Sequence, residues 1–153
     1  MIKAIIFDLD GTLLDTSKDI TNSVNYVLEK YGYKVLKVSE ILKNLGYGSK
    51  YLIKNSLPEG ISNHEFELIH QAYLTYYQNH NDILTTPYEG VLDLVNKLKA
   101  SGYKLALISN KDNSDVQSLI PKHFGAAFDV IYGTLKGFPN KPDSYLVNLT
   151  LND

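Results

Sequence analysis

Ala4-Ile5-Ile6-Phe7-Asp8-Leu9-Asp10-Gly11-Thr12-Leu13-Leu14-Asp15 is the stretch that decides the fold. Four apolar residues read as a buried strand, and two carboxylates follow at its carboxyl end, where open α/β sheets bind ligands. Strand side chains alternate between faces, so Asp8 and Asp10 point the same way if the strand continues to Asp10. Gly11 then lets the chain turn sharply. Asp and Gly are also ordinary turn residues. The apolar strand, the spaced acids, the Gly and the Thr together point past a plain strand end to a chemical site.

Downstream, the pattern is first helical and then alternating. Thr16 with Asp19 reads as a capping box, and Ile20, Val24, Val27, Leu28 and Tyr31 recur at helical spacing until Gly32. Shorter helices are expected over Ser39–Leu45 and Ser49–Leu57, the second ending before Pro58. A long helix starts at Ser62, with Glu65 at the capping-box position. Its aromatic stripe, Phe66, Tyr73, Tyr76 and Tyr77 beside Ile69, reads as packing between helices. After Pro87 come a helix with Leu92, Val95 and Leu98 closed by Gly102, a buried strand over Leu105–Ile108, and a helix with Val116, Leu119 and Ile120. A third strand follows over Phe128–Tyr132, then a last helix with Pro142 in its first turn and Leu146 and Leu149 on one face. Helices between strands imply parallel crossovers. The expected fold is α/β, a doubly wound parallel, Rossmann-like sheet with an inserted helical cap domain. Residues 1–14 and 85–153 would form the sheet domain and residues 15–84 the cap.

The 153 residues suffice for one ordinary core, and 44% apolar with 21% charged residues argues against disorder. A net charge of −2 without a basic run gives no reason to expect nucleic acid or anionic membrane as partner. No stretch approaches the roughly 18 apolar residues of a membrane span, and Met1–Phe7 is too short for a signal peptide. Without cysteine there is no disulfide framework and no thiolate metal site. A cytoplasmic protein acting on a small molecule is expected, its oligomeric state open. His64, His70, His80 and His123 lack ligand-like spacing and read as surface or packing residues. Lys50 and Lys54 read as a solvated helix face, within reach of an anionic substrate.

The segment Asp8–Asp15 resembles the first motif of the haloacid dehalogenase-like hydrolases, most of which are magnesium-dependent phosphatases. Ser109-Asn110-Lys111 after a strand resembles the second motif, and Lys141-Pro142-Asp143 the third, in the family's order. Gly46-Tyr47-Gly48 and Thr86-Pro87-Tyr88-Glu89-Gly90-Val91 resemble the phosphoglycolate-phosphatase-like branch. The resemblance implies Asp8 as the nucleophile that forms an aspartyl-phosphate and Asp10 as the acid and then the base. Splitting one hard displacement into two easier ones is what a covalent intermediate achieves. Lys141, the Ser109 hydroxyl and the Asn110 N–H at a helix start suit the charge that accumulates on phosphoryl oxygens, with Gly11 and Thr12 also on the phosphate. Mg2+ would sit between Asp8 and the phosphate, with the Asp10 backbone carbonyl as a further ligand.

The family's fourth motif, a Gly-Asp pair with a further Asp that supplies magnesium ligands, has no counterpart before Asp153. The resemblance therefore implies a sheet without its C-terminal strands, Ile2–Phe7 as an exposed edge, and weak magnesium binding with little or no activity in these 153 residues. A fragment of a longer enzyme and a naturally short member both fit. The expected function is a magnesium-dependent phosphatase of a small, phosphoglycolate-like metabolite. A non-catalytic binding remnant of the fold and a sugar phosphomutase are the alternatives.

Overall fold

The computed structural model describes residues 2–152. Strand β1 (Ala4–Phe7) runs into the two acids, and a two-residue strand β2 (Leu14–Asp15) leads into a block of four helices: α1 (Ser17–Lys30), α2 (Val38–Leu42), α3 (Ser49–Ser56) and α4 (Asn63–His80). The chain returns through β3 (Thr86–Pro87) to α5 (Val91–Ala100), β4 (Lys104–Asp112), α6 (Asn113–Phe124), β5 (Val130–Thr134) and α7 (Tyr145–Asn152). β1, β4 and β5 form a parallel sheet in the order β1-β4-β5, with Ala4 opposite Lys104 and Ala106 opposite Val130. The fold is the expected parallel α/β sheet with flanking helices and an inserted helical cap.

Two separate apolar clusters hold it together. One gathers Leu9, Leu13, Val95, Leu105, Leu107, Val116, Leu119 and Phe128 around the sheet, and the other gathers Ile20, Val24, Leu28, Ile41, Ile53, Ile69, Tyr73 and Tyr77 among α1 to α4. The antiparallel pair β2–β3 joins the two connections between them, with Leu14 opposite Pro87 and Asp15 opposite Thr86. Beside that ladder, the buried Asp19 carboxylate accepts hydrogen bonds from the backbone N–H groups of Ile83, Leu84 and Thr85. The outgoing linker is thereby fastened to the first turn of α1.

Several local expectations are corrected. Thr16 makes no side-chain cap on α1, because its hydroxyl is given to Asp10 and Asp19 serves the linker instead of a capping box. The second helix is shorter than Ser39–Leu45, and α3 stops at Ser56. At the fourth, half of the expected capping box forms: Ser62 Oγ accepts from the Glu65 N–H, while the Glu65 carboxylate accepts the Tyr33 hydroxyl instead of reaching back. β4 runs through Ser109–Asp112, so Asn110 sits on a strand and the helix starts at Asn113. β5 begins at Val130, since Phe128 packs into the core against Phe7 and Phe124 before the strand starts. Pro142 precedes the last helix, which starts at Tyr145 where the Asp143 carboxylate accepts the Tyr145 N–H. Leu92 is exposed on α5, and Val91 with Leu98 faces the cluster in its place. Among the described residues β1 pairs only with β4, which leaves it half-exposed; Ile6 is 37% exposed.

Gly133 fixes how closely β5 approaches the end of β4. A Cβ there would come 2.5 Å from Asn113 Cα and 2.7 Å from the Lys111 carbonyl oxygen. Overpacking of this kind typically costs about 1–3 kcal/mol. Gly133→Ala should therefore lower the unfolding free energy by about that amount and bring the urea midpoint down with it, and an unchanged midpoint would show that the two strand ends can part freely.

Asp129 joins three elements from just before β5, accepting from Lys99 Nζ at 2.7 Å and from the Leu105 N–H at 2.9 Å. The Lys99 bond, then the Leu105 bond, holds its carboxyl at about 2, below the ordinary 3.8. A depressed carboxylate stabilises the fold above its unfolded pKa and loses that contribution as pH falls through its folded one. Melting temperatures recorded between pH 3.8 and about 2 should fall less steeply for Asp129→Asn than for the parent chain. Identical slopes would remove Asp129 from the acid response.

Candidate active site

The acid-bearing loop is shaped by its apolar residues. Leu9 and Leu13 are fully buried in the sheet-side cluster, so the chain is pinned on either side of Asp10. Gly11 takes φ 77°, its N–H meets the Leu14 carbonyl, and the Thr12 N–H meets that of Leu9. β1 ends at Phe7, short of Asp10, yet Asp8 and Asp10 line one cavity. Gly11 and Thr12 form the turn, and their N–H groups are engaged within it.

Lys141 reaches this loop from far along the chain. Its Nζ lies 2.9 Å from Asp8 Oδ1 and 2.8 Å from the Ile108 carbonyl oxygen, so it is held between a carboxylate and the middle of the central strand. Asn110 aims it. The Asn110 amide accepts the Lys141 N–H and donates to the Lys141 and Gly46 carbonyls, so that its side chain is spent on fastening two loops. Ser109 is buried beside it; its oxygen accepts the Lys111 N–H, and among the described residues its hydroxyl has no acceptor.

Asp10 is held from two directions. Its Oδ1 accepts from Thr16 Oγ1 and from Lys111 Nζ, the latter at 2.8 Å. Burial works against the Lys111 charge, but Asp10, with Tyr73 and Asp115, outweighs it and holds the ammonium above the ordinary lysine range. Tyr77 of α4 places its ring 4.6 Å from that ammonium. Burial, reinforced by Asp10 and Asp115, pushes the Tyr77 phenol well above its usual pKa and keeps it protonated.

The helical layer closes the cavity with Asn44, Gly46, Gly48, Ser49, Tyr73 and Tyr77. The solvent space between these residues is about 40 Å³, and the Asp8 side chain that also lines it is 44% exposed. Ser49 Oγ is 2.9 Å from His70 Nε2, and burial keeps His70 below the ordinary histidine range. Lys50 faces solvent and pairs loosely with Glu67. The structure thus brings Asp8, Asp10, Ser109, Asn110 and Lys141 into one place. Lys111, Tyr73, Tyr77 and Thr16 are the site neighbours that sequence reasoning left without a part in it. Lys111 stood inside the second motif and both tyrosines inside the aromatic stripe, but nothing in their spacing says that they meet Asp10.

For magnesium the fit is partial. Asp8 offers an exposed carboxylate, but its Oδ1 is already paired with Lys141, and the Asp10 side chain is engaged by Thr16 and Lys111. Among the described residues no three acidic or histidine side chains converge on a point that could hold a metal ion. By themselves these residues do not complete a magnesium site.

The haloacid dehalogenase-like hydrolase model matches residues 5–153. The chain belongs to the haloacid dehalogenase-like hydrolase family. Among its relatives, the phosphoglycolate phosphatase of Nitrosospira multiformis is 35% identical over 114 residues, which cover 72% of this chain and 50% of that protein. That of Vibrio cholerae serotype O1 is 33% identical over 159 residues, 98% of this chain and 70% of its own length. A solved haloacid dehalogenase-like hydrolase from Streptococcus pneumoniae superposes with a TM-score of 0.84 at 28% identity, covering 99% of this chain and 70% of that one. The chain therefore spans between half and about 70% of these relatives. Among the described residues no helix is long and apolar enough to cross a membrane.

Proposed function

We propose that the protein is a cytoplasmic phosphatase of a small phosphorylated metabolite, phosphoglycolate-like, acting through a phosphorylated Asp8. The observation that carries this reading is the placement of the Lys141 ammonium 2.9 Å from Asp8 Oδ1 at the carboxyl end of β1. A carboxylate and a phosphate monoester repel each other, and an ammonium fixed beside the attacking oxygen offsets that repulsion without reorganising during the reaction. The Ser109 hydroxyl adds a donor on the same side. Asp10, two residues further along the loop and lining the same cavity, gives a proton to the leaving alkoxide and later takes one from water. Lys141 pairs with Asp8 and Lys111 with Asp10, and the two carboxylates differ in exposure, 44% for Asp8 against 15% for Asp10.

Gly11 and Thr12 support the reading through position: they turn the loop so that the acids share a cavity. Asn110 supports it by aiming Lys141. A division at residues 14 and 85 is supported by the two separate apolar clusters, one among α1 to α4 and one around the sheet. The test is phosphate release by the full-length protein from phosphoglycolate and from other small monoesters, with and without magnesium, followed by trapping of the acylphosphate with hydroxylamine. A hydroxamate at Asp8 is expected. Turnover with Asp8 unmodified in every trapped sample would overturn the covalent route.

A further inference from the structure

Lys111 is paired with Asp10 but touches no reacting atom in the proposed reaction. Yet the side chain is only 6% exposed, and its ammonium ends 2.8 Å from Asp10 Oδ1 and 4.6 Å from the centre of the Tyr77 ring. Those three groups come from different places: Asp10 from the loop after β1, Lys111 from β4, and Tyr77 from α4 in the helical layer. We propose that Lys111 is a positioning residue, a strut that holds the Asp10 carboxylate in its working orientation only while α4 is docked over the sheet's end. The proposal rests on the assignment of Asp10 to proton transfer.

The physical argument is one of solvent access. A buried ammonium is tolerated when it is paired, and removing its partner is strongly destabilising. A desolvated cation over an aromatic face adds further attraction, which vanishes once the ring leaves. With α4 docked, Tyr77 covers the Lys111–Asp10 pair and the carboxylate is held. With α4 withdrawn, water reaches the ammonium, and the pair weakens to an ordinary exposed ion pair that no longer fixes a rotamer. Both hydrogen bonds on Asp10 fall on Oδ1, from Thr16 at the entry to the helical layer and from Lys111. Among the described residues Oδ2 has no hydrogen bond, so it is the oxygen left to exchange a proton with the leaving group.

The leaving group supplies the discriminating measurement. An alkyl phosphate needs a proton from Asp10 as it departs, whereas p-nitrophenolate departs unaided. Proton transfer contributes about 10²–10⁴-fold, so Lys111→Met in the full-length protein should lower kcat/KM for an alkyl phosphate by about 10 to 100-fold, and for p-nitrophenyl phosphate by less than about threefold. Tyr77→Leu should show the same selectivity, and Tyr77→Phe, which keeps the ring, should fall closer to the parent protein. Equal losses on both esters would place Lys111 on the phosphoryl group or in packing alone, and would overturn the strut.

A second measurement does not depend on turnover. The described chain contains no cysteine, so labels at Lys54→Cys on α3 and Lys97→Cys on α5 report the separation of the two layers. Lys111→Met and Tyr77→Leu should broaden that distance distribution while the circular dichroism spectrum is kept, and Tyr77→Phe should not. An unchanged distribution in Lys111→Met overturns the proposal. If the parent protein hydrolyses neither ester, the phosphatase reading falls, and the distance measurement alone decides whether the strut exists.

Discussion

Asp8→Asn is expected to abolish phosphate release by the full-length protein, a loss on the order of 10⁴ to 10⁶-fold, because removing a nucleophile that works with its neighbours removes most of the rate at once. A neutral amide cannot form the acylphosphate. Folding should survive, since the side chain is 44% exposed and the asparagine amide oxygen can still accept from Lys141. The check is steady-state phosphate release beside matched thermal melts. Turnover within tenfold of the parent, at about 1.4 kcal/mol of barrier, would remove Asp8 from the nucleophilic role.

Lys141→Ala has the second largest expected effect. Its ammonium is 29% exposed at the side chain and bridges Asp8 Oδ1 and the Ile108 carbonyl. Removing one preorganised donor typically costs about 10²–10³-fold in kcat, and that range is expected here. Its backbone would stay in place, because Asn110 binds the Lys141 N–H and carbonyl and not its side chain. Lys141→Arg should recover little: a planar guanidinium does not fit between two acceptors that a compact ammonium meets. A loss below about tenfold, with the melting temperature unchanged, would show that Lys141 only neutralises Asp8 at rest.

The sequence was legible where a local rule and the tertiary structure agree. Ala4–Phe7 followed by spaced acids gives the strand and its site because a strand end in an open sheet needs no distant partner to be recognised. α1 and α4 were legible from their helical spacing, and α4 also from the Ser62 cap. The β2–β3 ladder was not, because strands of two residues carry no periodicity. β5 was placed two residues early: Phe128 has the apolar character of a strand residue but is used as a core plug before pairing starts. Thr16 illustrates the limit at the site itself. Its hydroxyl could cap a helix or hold a carboxylate six residues back, and only the Gly11 turn, which brings Asp10 to it, decides for the carboxylate.

The two apolar clusters also set a timetable for the chain. The cluster of α1 to α4 draws on one uninterrupted run from Ile20 to Tyr77, so its contacts can form as soon as that run leaves the ribosome. β1, synthesised earlier, must wait for its partner: Ala4 pairs with Lys104 and Phe7 with Leu107. Closing so long a loop is entropically costly while it is unstructured and less so once its interior has already compacted. The inserted helices thus shorten the path that β1 must search. Substitutions inside that run, such as at Val24 or Ile53, should slow assembly of the sheet that carries Asp8 without touching the sheet at all.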